Sequence, residues 1–235
     1  MKRVSLLRIF EAAAVILLPI ALVGSAFLEA EAAAALSLLC VGLALTPFLL
    51  SFENKKPRPR DLVPIAVMSV IAALGRTLFS AIPSFQPASA IILITAIAFG
   101  QDAGFLTGAL TALSSNLLLG QGPWTPWQMY AWGMIGFLGG LLYRAGLFRK
   151  RFFLLLFGFI SGILFGWFMD LWYVLGFIRP LNLAAFLAAF ASSAWMDVVH
   201  GISTVLFLLL LEKPWGKKLY RIREKYGIGP EVKEK

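Results

Sequence analysis

The sequence predicts an all-α integral membrane protein, and three observations carry that expectation. Of 235 residues, 60% are hydrophobic and 14% are charged, where an ordinary soluble domain carries roughly 25% charge; the mean hydropathy is +0.83. The apolar residues lie in blocks of about 20, the length at which a helix crosses a hydrocarbon core of roughly 30 Å. The net charge of +9 is gathered into alternate connections between those blocks. Together these exclude a soluble enzyme, a secreted disulfide scaffold and a disordered tail. A basic surplus sorted in this way marks membrane orientation rather than a nucleic-acid surface.

Apolar runs broken by charge, Gly and Pro predict eight helices, near 9–28, 33–51, 62–82, 87–99, 103–119, 128–143, 152–178 and 184–211. The first follows Lys2, Arg3 and Arg8, the charged-then-apolar order of a signal peptide. Its apolar run is long for such a signal and leads into a second one, so it is read as a retained helix. The second contains Cys40, the single cysteine, which has no internal disulfide partner and is read as a small packing residue. Glu53–Asp61 holds two prolines and a cluster of charges that lipid excludes. It separates an N-terminal hairpin (1–52) from a six-helix part (62–211), with a basic tail (212–235) behind. The fourth run is short, bounded by Pro83 and Pro87 on one side and Gly100-Gln101-Asp102 on the other, so it spans the membrane tilted or in part.

All of the 21 Lys and Arg except Arg76 and Arg179 fall at residues 2–8, 55–60, 144–151 and 213–235, which are connections of one parity. The positive-inside rule therefore places both termini in the cytoplasm and predicts a multi-pass protein of the cell membrane. On the opposite side lie the Pro83–Gln86 turn, the Gly120–Trp127 loop and the Arg179–Asn182 loop.

An ionisable side chain at membrane depth is read as functional by default. Four qualify: Arg76, Asp170, Asp197 and His200. An internal Arg76–Asp pair, a proton relay through Asp197 and His200, which are three apart on one helix face, and direct ligand contact all remain open. The loop Gly120-Gln121-Gly122-Pro123-Trp124-Thr125-Pro126-Trp127-Gln128 combines constrained backbone with rings and amides. It reads either as an interfacial aromatic belt or as a site that stacks on a small molecule and bonds to its edge. Phe85 and Gln86 in the facing turn, together with Asn116, Trp172, Tyr173, Asn182 and Trp195, complete such a pocket. Gly104, Gly108 and Ala112 repeat at a spacing that lets helices approach closely within the chain, whereas Ser69 and Ala73 equally suit a contact with another membrane subunit. One His and one Cys leave no zinc constellation. No cofactor is implied, and neither a Walker A loop nor an HExxH motif occurs.

The stretch from Leu62 to Leu142 resembles the substrate-binding membrane subunit (S component) of energy-coupling factor vitamin transporters. The resemblance rests on Ala73-Leu74-Gly75-Arg76, Ile82-Pro83-Ser84-Phe85-Gln86-Pro87, Phe99 to Leu110, Ser115-Asn116, the Gly-Pro-Trp-Thr-Pro-Trp string and the Gly133–Gly140 helix. It implies a six-helix bundle over 62–211 that takes up a vitamin from the extracellular side, topples to release it, and associates with a membrane coupling subunit and two cytoplasmic ATPases. The family's small-residue surface for that coupling subunit maps to Ser69 and Ala73. The 9–51 hairpin lies outside the pattern. Among substrates, a cobalamin-like compound or precursor is the first expectation, with riboflavin, pantothenate and other vitamins open. Two other functions stand beside it: a proton-coupled secondary transporter using Asp197 and His200, and an intramembrane hydrolase or transferase using those two with Asp170.

Overall fold

The shortest helix of the bundle is the most enclosed, and the others are arranged around it. The computed structural model describes residues 20–21, 30–54, 58–180 and 182–228. Its elements are α1 (Ala30–Asn54), α2 (Pro59–Leu78), α3 (Ala88–Phe99), α4 (Gln101–Leu119), α5 (Thr125–Arg144), a 3-10 turn (Leu147–Arg149), α6 (Arg151–Phe177) and α7 (Leu183–Tyr226), with no strand among the described residues. The 12 residues of α3 rise about 18 Å, too little to cross the bilayer. Apolar except for Ser89 and Thr95, it is buried along its whole length except at Ile97, and it touches α2, α4, α5, α6 and α7. The short fourth run is thus a core helix held by its neighbours.

By length and apolarity α2, α6 and α7 qualify as membrane spans, and they turn Leu62, Val67, Leu74, Leu156, Leu164, Ile202 and Leu206 outward, as lipid requires. Pro59 occupies the first turn of α2, where its missing N–H is no loss, and the Asp61 carboxylate accepts the Arg58 N–H at 2.8 Å.

Small residues set two close helix contacts. A Cβ on Gly104 would stand 2.7 Å from the Gly136 carbonyl oxygen, and one on Gly108 would strike the Trp132 backbone, so α4 and α5 pack backbone to backbone. Gly104, Gly108 and Ala112 therefore serve packing within the chain. The second contact uses Gly158, Gly162 and Gly166 on α6, where a Cβ on Gly162 would stand 2.5 Å from Gly201 N on α7.

Ser69 and Ala73 correct an expectation. Both are buried, and Ser69 Oγ bonds to Ile65 O at 2.7 Å and lies 3.3 Å from Thr107 O on α4. They face the bundle, so they are not available to another subunit; the outward face of α2 carries Val63, Val67, Val70 and Leu74 instead.

α1 packs against α4, α5 and α6. Its Phe48 stacks on Phe105 (centroids 4.2 Å apart) and meets Phe137 edge-on at 5.0 Å. The helix expected at 9–28 lies, apart from residues 20 and 21, outside the described residues. The last helix does not stop at 211: α7 has 44 residues and continues through Pro214 to Tyr226. The rise in charge there marks the end of the apolar run, not of the helix. Past Pro214, Leu219 and Ile228 are buried, Arg223 donates to Ala98 O at the end of α3 (3.3 Å), and Arg58 donates to Gly227 O (2.8 Å).

Candidate substrate-binding site

Between α2 and α3 the chain turns over residues 79–87. The Ile82 N–H donates to Phe79 O (2.9 Å), Phe85 N–H donates to Ile82 O (3.2 Å), and Ser84 takes the left-handed conformation, φ 59°. Ser203 on α7 accepts the Gln86 N–H at 3.4 Å, and Phe79, Phe85 and Phe207 form a triangle of rings 5.3–5.6 Å apart. This clamped turn forms one wall of a cavity of about 360 Å³. The other walls are Leu119 and Gln128 where α4 meets α5, Phe165, Gly166, Met169 and Asp170 on α6, and Ser193, Met196, Asp197 and His200 on α7; Arg76 projects from α2. The cavity lies toward the end of α2 remote from Arg58 and Arg60, of α5 remote from Arg144, and of α6 remote from Arg151.

The polar groups of the cavity fall into separate networks. Arg76 Nη1 donates to Ser115 Oγ (2.6 Å) and Asn116 Oδ1 (2.7 Å), and the guanidinium lies 5.0 Å from the centre of the Trp132 ring, a cation–π distance. Asn116 in turn donates to Thr125 Oγ1 (2.9 Å) and Gln128 Oε1 (2.8 Å), tying Arg76 to the aromatic loop. His200 Nε2 lies 2.9 Å from Ser89 Oγ, which also accepts from the Trp132 indole N–H at 3.1 Å. Asp170 accepts the Ser193 hydroxyl at 2.5 Å. Asp197 is 5% exposed, and its Oδ2 has no hydrogen-bond partner.

The hydrogen bonds around these charges bear on the ion-pair reading of Arg76. Among the described residues Arg76 forms no ion pair with Asp170 or Asp197; hydroxyl and amide oxygens take its Nη1 instead. Asp197 and His200 share a helix face, and the imidazole meets Ser89 on α3 through Nε2.

Of the residues expected from sequence, the cavity gathers Arg76, Phe85, Gln86, Gln128, Asp170, Asp197 and His200. Asn116 stands behind Arg76. Gln121 is used by its own loop, donating to Leu113 O (3.1 Å) and accepting from Thr125 (2.8 Å). Trp124 lies over Gly122 and meets Trp172 edge-on at 5.9 Å. Trp127 is 1% exposed and packs on Phe168 at 5.0 Å. Tyr173 and Trp195 are 48% and 56% exposed and line no part of the cavity. Asn182 caps α7, accepting the Ala185 N–H at 2.8 Å. The residues that sequence reasoning missed are Phe79, Ser80, Leu119, Phe165, Gly166, Met169, Ser193 and Met196. Helical arithmetic could have found several: Ser193, Met196, Asp197 and His200 form one i, i+3, i+4, i+7 stripe, and Gly166, Met169 and Asp170 form a matching one.

A cavity walled by rings and polar side chains inside a helix bundle with membrane-spanning apolar helices has the form of a small-molecule pocket in a membrane protein. The chain belongs to the family described as ECF transporter, substrate-specific component, which matches residues 60–214. No curated protein and no solved structure matches it. A substrate-specific component is an integral membrane transport subunit rather than an enzyme, and it works on a small-molecule substrate with a membrane coupling component and ATPases. The matched region begins at α2, leaving α1 outside the family pattern.

Proposed function

We propose that this protein captures a vitamin or related micronutrient from the extracellular side and delivers it to the coupling component and ATPases. The observation that carries the reading is the cavity itself. Its aromatic walls and charged floor lie at the bundle end remote from the basic segments, and the positive-inside rule makes that end extracellular. At about 360 Å³ it stands near the lower end of the roughly 300–1,000 Å³ typical of ligand pockets. A compound of one or two rings fits within that volume, and a larger vitamin such as a cobalamin-like compound would extend through the open side of the cavity.

The experiment is to purify the protein in mild detergent from cells grown in rich medium and identify by mass spectrometry any small molecule that it releases on denaturation. A single nutrient released in stoichiometric amount is expected, together with uptake of that nutrient by intact cells that stops when the coupling component is deleted. Release of nothing, with uptake unchanged by the deletion, overturns the reading.

A further inference from the structure

We infer that the ligand of this cavity is a flat aromatic cation of the amidine type, a ring carrying two adjacent N–H groups, and that Asp197 receives it. The inference rests on the cavity being the substrate site proposed above.

Asp197 is the starting point. Its side chain is almost wholly buried and borders the cavity, yet Oδ2 has no partner. A carboxylate oxygen left without a donor in a low-dielectric interior is strongly unfavourable, so an occupant of the cavity is the natural source of the missing bond. The protein also makes room for the carboxylate: a Cβ on Gly166 would collide with Asp197 Oδ1 and Cγ. The charge balance around the cavity points the same way. Asp170 and Asp197 both border it, the single Arg or Lys among its lining residues is Arg76, and that side chain is directed to Ser115 and Asn116 instead of either carboxylate. A ligand bringing positive charge completes the balance.

Shape narrows the class. Phe79, Phe85 and Phe165 supply ring faces and edges, which favour a flat partner and stabilise a cation. Two N–H groups side by side match the two oxygens of a carboxylate as a guanidinium does. The cavity volume admits one or two rings.

The test uses three isosteric probes, benzamidine (cation), benzamide (neutral) and benzoate (anion), titrated calorimetrically into the full-length protein in detergent at neutral pH after removal of any co-purified ligand. Benzamidine is expected to bind at least about tenfold more tightly than benzoate, with benzamide between them. In Asp197→Asn that preference is expected to shrink to within about threefold. Asp170→Asn is expected to reduce it by a smaller factor, and it supplies a second variant should the first fail to fold. Benzoate binding as tightly as benzamidine in the wild-type protein, binding by none of the three, or a preference untouched by both variants overturns the inference. Recovery of an acidic nutrient from the purified protein overturns it too, while leaving the binding reading intact; recovery of none, with uptake independent of the coupling component, removes the reading itself.

Discussion

Two regions at the same end of the bundle, the Gly120–Gln128 loop and the facing surfaces of α6 and α7, look alike in composition but do different work. Both carry aromatic rings and polar side chains. In the loop the polar groups bond to one another and to the end of α4: Gln121 to Leu113 O and Thr125, and Thr125 and Gln128 to Asn116, with Gln128 alone also bordering the cavity. Its tryptophans pack on Gly122, Trp172 and Phe168. On α6 and α7, Asp170 has one hydroxyl partner and Asp197 Oδ2 has none. Rings and polar groups mark both places; hydrogen-bond satisfaction separates the scaffold from the receptor.

That division breaks most visibly at Arg76, which belongs to both regions. Replacing it by Met removes the donor from Ser115 and Asn116 and the guanidinium that lies over Trp132, so the α2–α4–α5 wall of the cavity loses its tie. Affinity for the co-purified ligand should fall at least about 100-fold, or about 2.7 kcal/mol, with a drop in melting temperature because buried acceptors left without a donor cost about 1–3 kcal/mol. Trp124→Phe, within the loop, should move affinity less than about threefold in the same titration. If Trp124→Phe weakens binding more than Arg76→Met does, the loop is the receptor and the division is wrong. Gly166→Ala isolates the Asp197 carboxylate more narrowly. Ala in a helix interior ordinarily gains up to about 1 kcal/mol over Gly, so a tenfold loss of affinity (about 1.4 kcal/mol) without a fall in melting temperature would trace the loss to the displaced carboxylate.

Much of this organisation was legible in the sequence. Block length and the segregation of Lys and Arg predicted the all-helical membrane fold, because lipid forces backbone polar groups into helices. The costliness of intramembrane charge singled out Arg76, Asp170, Asp197 and His200, all of which reach the cavity. What sequence reasoning could not see was satisfaction. Gln121 and Trp127 look as suited to a ligand as Gln86 and Phe85, and which of them is consumed by the fold depends on contacts between distant helices. Ser69 and Ala73 show the same gap, since a small-residue stripe signals a close approach without saying whether the neighbour is in the same chain. The Gly158, Gly162, Gly166 repeat carries the same signal of close approach, here met by α7 of the same chain. The end of α7 was misplaced because hydropathy reports where lipid ends, and a helix can outlast it.

In the loop, Gln121→Ala should lower stability by about 1 kcal/mol, the usual worth of a partly exposed hydrogen bond, read as a small fall in melting temperature. Affinity should stay within about threefold of wild type. A larger loss of affinity would show that the loop amide reaches the ligand directly.

The smallest effect is expected at Trp195, and it sharpens the comparison most closely because Met196 and Asp197 follow it on the same helix. Successive residues of a helix stand about 100° apart around its axis, so one neighbour borders the cavity while the other is turned from it. Trp195 is 56% exposed and borders no part of the cavity, whereas Met196 lines it. Trp195→Leu should therefore leave affinity within about twofold of wild type, while Met196→Ala should weaken it about fivefold through lost contact with the ligand. Equal losses from the two substitutions would mean that α7 presents a different face to the substrate, and the cavity between α6 and α7 would no longer account for binding.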